Sequence, residues 1–104
     1  MSTLVLEGDE ASAVLEGCTR LELRCDGLAP RGRCFVVWIE AEFREAGEAS
    51  PYVTDLLVPG ALLYGDTREL EQCCSWHPDV DFAAFAVALR AVISDFVLQT
   101  MQAA

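Results

Sequence analysis

The chain has 104 residues, 53% of them hydrophobic and 23% charged, with 17 Asp and Glu against 7 Lys and Arg for a net charge of -10. That is the length of one domain (residues 1-104) able to bury its own core, and the composition of a globular protein, not a disordered one. So acidic a surface repels phosphate backbones and anionic headgroups, which argues against nucleic acid and membrane surfaces as partners.

Residues 3-7 (Thr-Leu-Val-Leu-Glu) read as a short strand. Asp9 then offers a helix N-cap, and Glu10 to Leu15 read as about two helical turns before Gly17. From Cys18 to Cys25, Leu21, Leu23 and Cys25 alternate with Arg20, Glu22 and Arg24, the period of a half-buried strand. Asp26-Gly27 begins a loop with Pro30 and Gly32. The alternation resumes from Cys34 to Arg44, with Phe35, Val37, Ile39, Ala41 and Phe43 on one face and Val36, Trp38, Glu40, Glu42 and Arg44 on the other. The two strands are expected to pair antiparallel with Leu23 opposite Phe35 and Leu21 opposite Val37, which sets Arg20 opposite Trp38 and Arg24 opposite Cys34 and keeps the apolar side chains on one face. In this hairpin Cys18 points outward.

Ala46 to Ser50 is a polar turn. Tyr52 to Val58 carries two signals. Ser50-Pro51 is a good helix start, whereas a meander makes the segment a third strand ended by Pro59-Gly60; a two-stranded sheet rarely stands alone, which favours the strand. Asp66-Thr67-Arg68-Glu69 has the form of a capping box, opening a helix with Leu70, Cys73, Cys74 and His77 on one face, broken by Pro78. A last helix is predicted from about Val80 to Met101, with Asp79 and Asp81 at its positive end. Its bulky stripe is Phe82, Phe85, Leu89, Val92, Ile93 and Phe96, and its back carries Ala83, Ala84, Val87, Ala91 and Leu98. The predicted fold class is α+β, a three- to four-stranded antiparallel meander with C-terminal helices packed on one face.

Residues 1-17 have four acidic side chains and no basic one, unlike a secretory leader. The most apolar stretch, 82-98, is interrupted by Arg90 and Asp95, so no membrane span is expected. The five cysteines, an odd number, read as free thiols in a reducing cytoplasm. The absence of Lys and Asn, whose codons are AT-rich, fits a high-GC bacterial genome.

Five constellations bear on function. Cys73 and His77 stand one helical turn apart, with Cys74 adjacent, and together with Trp76 outline a metal or small-ligand site. Structural zinc needs four ligands, the remaining cysteines are scattered, and the same residues trace the buried stripe of an amphipathic helix. Thiol catalysis has to use His77, the sole histidine, whose nearest thiols share its helix; no nucleophile elbow, dinucleotide fingerprint or P-loop is present, and neither enzymatic activity nor a cofactor is expected. Glu40 and Glu42 share a strand face about 7 Å apart, which suits an acid-base pair but equally a solvated face. Arg20, Arg24, Arg31 and Arg33 form a local basic cluster that either receives an anion or pairs with the chain's own carboxylates.

The fifth constellation carries the functional expectation. Val36 and Trp38 lie on the face expected to be wet, and large apolar groups there ask for a cover, either the N-terminal segment or another molecule. The small-residue back of the last helix permits close approach of a second helix. The expectation is a small, acidic, non-catalytic protein-binding module, homodimeric or bound to another protein, using Arg20, Val36, Trp38, Ala84, Val87, Ala91 and Leu98. Its size and charge are similar to those of small acidic bacterial chaperones and adaptors, a likeness of composition with no shared motif. The rival is the metal or ligand site at Cys73, Cys74 and His77.

Overall fold

The computed structural model describes residues 1–28, 34–43, 52–73 and 80–102. Their fold is α+β. Four strands, β1 (Ser2–Glu7), β2 (Cys18–Leu28), β3 (Cys34–Phe43) and β4 (Tyr52–Pro59), form one antiparallel sheet in the order β1-β2-β3-β4. Helix α1 (Asp9–Val14) lies between β1 and β2. A 3-10 turn (Gly60–Tyr64) and helix α2 (Arg68–Cys73) follow β4, and helix α3 is Phe82–Gln102. Tyr52 to Val58 belongs to a strand, and the N-terminal segment is the edge of the same sheet.

Alternation builds the sheet. The inward row of β3, Phe35, Val37, Ile39 and Ala41, is buried, as are Leu21, Leu23 and Cys25 of β2 and Val58 of β4. Against this face α3 lays Phe85, Leu89, Val92 and Ile93, all buried, and Phe35 meets Phe96 edge to face at 6.3 Å. Phe43 and Phe82 pack at the margin of this core. By length and composition α3 is able to cross a membrane, but its bulky stripe is spent on the sheet. Its two charges are also engaged: Arg90 Nε donates to the Leu62 carbonyl of the 3-10 turn at 3.2 Å, and the Asp95 carboxylate accepts the hydroxyl of Ser2 on β1 at 2.6 Å.

The hairpin register differs from the expected one. Leu23 pairs with Ile39, Leu21 with Ala41 and Cys25 with Val37, while Phe35 pairs with Leu28. A slip of four residues keeps every apolar side chain on the same face, so alternation cannot exclude it. The physical cause is that β2 runs on through Asp26-Gly27 instead of turning there, with a bulge between Cys25 and Gly27. In consequence Trp38 faces Arg24, and Arg20 faces Glu42. A second bulge, between Cys18 and Arg20, inserts Thr19 and reverses the parity of the strand end. Cys18, expected outward, is therefore buried in the core.

Helix termini also depart from the expected caps. α1 begins at Asp9 with Gly8 as its cap, at φ 60, a conformation that L side chains resist. Gly8 is needed because its N–H also donates to the Thr19 carbonyl at 3.0 Å, so the chain must leave the β1-β2 ladder and enter the helix within one residue. Asp66 is not the cap of a capping box. α2 starts at Arg68, and Asp66 Oδ1 accepts the Arg68 N–H at 3.1 Å, two residues on. α3 starts after Val80, because Val80 bridges to Leu15 and the Asp81 N–H donates to the Val14 carbonyl at 2.8 Å. Asp81 is its cap, with Oδ1 accepting the Ala84 N–H at 3.0 Å.

Candidate functional site

The helices pack on one face of the sheet, and among the described residues no helix or strand lies over the other. That open face is defined by register. Thr3, Val5 and Glu7 come from β1, Arg20, Glu22 and Arg24 from β2, Val36, Trp38, Glu40 and Glu42 from β3, and Asp55 and Leu57 from β4. Three of the expected binding residues sit here, Arg20 on β2 and Val36 and Trp38 in adjacent pleats of β3. Leu57, which sequence reasoning passed over, pairs with Val36 and is 54% exposed. Its signal was the alternation of Tyr52–Pro59, legible only once that segment is read as a strand. Together Leu57, Val36 and Trp38 make a contiguous apolar strip over β3 and β4, and Val36 and Trp38 are each half-buried.

Arg24 covers part of this strip. Its guanidinium lies over the Trp38 ring at 5.3 Å from the centroid, and its Nε stands 3.6 Å from an Asp26 carboxylate oxygen. That Nε is buried without a hydrogen bond, so the indole face and the aspartate supply its electrostatic compensation. Arg20 does not flank Trp38 as expected. It lies four residues away along β2, about 13 Å. Its guanidinium donates to Glu22 at 3.0 Å and lies 3.9 Å from Glu7. The hydrogen bond to Glu22, reinforced by the charges of Glu42 and Glu40, raises the Arg20 pKa further above its ordinary value. Arg20 and Arg24 are thus each paired with the chain's own carboxylates, the second of the two alternatives for the basic cluster; Arg31 and Arg33 lie outside the described residues.

Glu40 and Glu42 share the open face as alternation requires. Glu40 stands opposite Glu22 across the β2-β3 ladder, so among the described residues this end of the face gathers Glu7, Glu22, Glu40 and Glu42 around one guanidinium, that of Arg20. No ion pair to Glu40 or Glu42 occurs among the described residues. An acid-base couple needs one carboxyl held protonated by burial; Glu42 is exposed and Glu40 half-exposed.

The remaining expected residues are elsewhere. Val87, Ala91 and Leu98 lie on the back of α3, with Val87 63% and Leu98 56% exposed, whereas Ala84, expected with them, is partly buried and packs against the core at the side of the helix. Met101, 68% exposed, extends this stripe at three- and four-residue spacing. Because α3 packs its front on the inner face of the sheet, its back and the open sheet face point away from each other. The structure therefore does not bring the sheet residues and the helix residues into one patch; it separates them by the thickness of two layers.

Of the rival site, Cys74, Trp76 and His77 lie outside the described residues, as does the side chain of Cys73. Among the described residues no group of three His, Cys, Asp or Glu is placed to hold a metal ion. Cys18, Cys25 and Cys34 are free thiols. Burial pushes the Cys18 and Cys25 thiols above their ordinary pKa, which opposes thiolate formation. Comparison with protein-family models, with curated proteins and with solved structures finds no match to the chain.

Proposed function

We propose that this chain is a small acidic, non-catalytic protein-binding module of the adaptor or chaperone-like kind, cytoplasmic and homodimeric in a bacterial cell. One observation carries the reading: among the described residues helices cover a single face of the sheet, and the other face presents Val36, Trp38 and Leu57 as a contiguous strip. An indole and two aliphatic side chains on the sheet face away from the helices make a typical anchor for a protein partner. The exposed back of α3 adds a second apolar stripe on the opposite side, with Val87 and Leu98 at its centre, suited to pairing with a second copy.

Sedimentation equilibrium tests the reading. The wild-type chain is expected to dimerise in the micromolar range, and a Val87→Glu, Leu98→Glu double variant to sediment as a folded monomer. A wild-type chain that stays monomeric at several hundred micromolar removes the homodimer. If Trp38, taken as the difference in emission between the wild type and Trp38→Phe, is also fully shielded from quenchers in that monomer, the binding module goes with it.

A further inference from the structure

We infer that the open sheet face receives a basic protein segment, one that sets Lys or Arg beside an aliphatic or aromatic anchor. This rests on the protein-binding reading above and adds the chemistry of the partner. The face has two halves. On β3 and β4, Val36, Trp38 and Leu57 form the apolar strip. On β1 to β3 lie the carboxylates of Glu7, Glu22, Glu40 and Glu42, with Asp55 opposite Trp38 on β4. The only guanidiniums among the described residues of this face are Arg20, held by Glu22 and Glu7, and Arg24, held by Asp26 and the Trp38 ring. Among the described residues, negative charge is thus in excess on the face itself, not merely in the whole chain. Glu22 and Glu40 are directly opposed across two strands, a like-charge pair that disfavours the isolated sheet and that a cation laid against it relieves.

Charge decides among the occupants. A second copy docked sheet to sheet brings carboxylates against carboxylates, and the guanidiniums that its described residues add, Arg20 and Arg24, are already engaged, an arrangement that costs binding free energy. Nucleic acid brings more negative charge. A basic segment supplies the missing sign to Glu40 and Glu42 while its apolar side chain covers Leu57 and Val36. The helix back, whose central side chains are uncharged, remains for self-association.

The test is calorimetric titration of the full chain with a synthetic peptide alternating Leu and Lys, and with matched Leu/Thr and Leu/Glu peptides. Binding is expected for the Leu/Lys peptide alone, weakening steeply with salt. A Glu40→Lys, Glu42→Lys variant is expected to lose about tenfold or more in affinity, and Leu57→Ser several-fold. A Glu10→Lys, Glu16→Lys variant makes the same change of net charge around α1, on the helical side of the sheet, and is expected to bind nearly as the wild type does. All these substitutions are at solvent-facing positions, and circular dichroism checks each fold. Equal losses in the two double variants overturn the inference, because attraction is then merely to an acidic protein. Absence of Leu/Lys binding overturns it as well. Sedimentation of the same samples separates the two readings. A dimer dissociated by Glu40→Lys, Glu42→Lys or by Leu57→Ser makes the second copy the occupant of the sheet face, which sinks the basic partner and leaves the binding module standing. A monomer that binds none of the peptides sinks both.

Discussion

The two faces of β3 are made from alternate residues of one ten-residue strand, and they do different physical work. Inward, Phe35, Val37, Ile39 and Ala41 are almost entirely removed from water against β2 and α3. Burial of each large apolar side chain contributes about 1.5–3 kcal/mol, so this face holds most of what stabilises the sheet. Outward, Val36, Trp38, Glu40 and Glu42 meet a cation–π contact at Trp38, the ion-paired Arg20 and Glu22 of the neighbouring strand, and solvent. Such surface contacts contribute a few tenths to about 1 kcal/mol each. The lesson is that the open face has little to do with keeping the fold, so its indole and carboxylates are free to serve recognition.

Core truncation is the hardest blow to that contrast. Phe85→Ala removes a fully buried ring beneath the sheet and is expected to cost about 3–5 kcal/mol. That is a large share of the stability of a domain this size, read as a fall in the urea midpoint or as failure to fold. A loss under 1 kcal/mol would mean that α3 is not seated on the inner face. Next comes the cap of α3. Asp81→Ala frees the Ala84 N–H and should cost about 1 kcal/mol, with the urea midpoint shifted and the slope unchanged.

Thiol chemistry divides the faces more gently. Cys18 and Cys25 are buried and hold their protons more tightly folded than unfolded. Their contribution to stability is therefore complete below the unfolded pKa and declines as pH rises past about 9 toward the folded values. Alkylation mapped by peptide mass spectrometry at neutral pH should label Cys34, on the open face, well ahead of Cys18 and Cys25; uniform labelling would place all three on equal footing. The smallest effect is expected on the outer row itself. Trp38→Ala should change stability by about 1 kcal/mol or less, judged from chemical denaturation, because only the half-buried ring and its contact with Arg24 are lost. A cost as large as that of Phe85→Ala would show that the open face is in fact a core.

Much of the sheet was readable residue by residue. Period-two alternation in 18-25 and 34-44 assigned the inner and outer rows correctly from Leu21 to Cys25 and from Phe35 to Phe43, since polar side chains cannot be buried without partners. The bulky front of α3 and the exposed positions Val87, Ala91 and Leu98 of its back followed from its 3.6-residue period, while Ala84, expected on the back, packs against the core. The candidate surface was legible only in part. Val36 and Trp38 stood out as large apolar groups on a polar row, but Leu57 joined them only through strand pairing, and Arg24 took the place beside Trp38 that Arg20 was expected to fill. Cys18 was misplaced because a bulge leaves no mark in alternation.

By itself, then, the sequence determined which side chains shun water and the local geometry that sorts them: strand rows two apart, a helix stripe three and four apart, acidic residues on what is left. Those are properties of neighbours along the chain. Tertiary structure alone decided the register, the two bulges, the capping of α1 by Gly8, and the placing of the sheet patch and the helix back on opposite sides. These depend on distant backbone groups finding hydrogen-bond partners. A slip of four residues leaves the burial of each row unchanged, so only the hydrogen-bonded ladder with its bulges chooses between the alternatives.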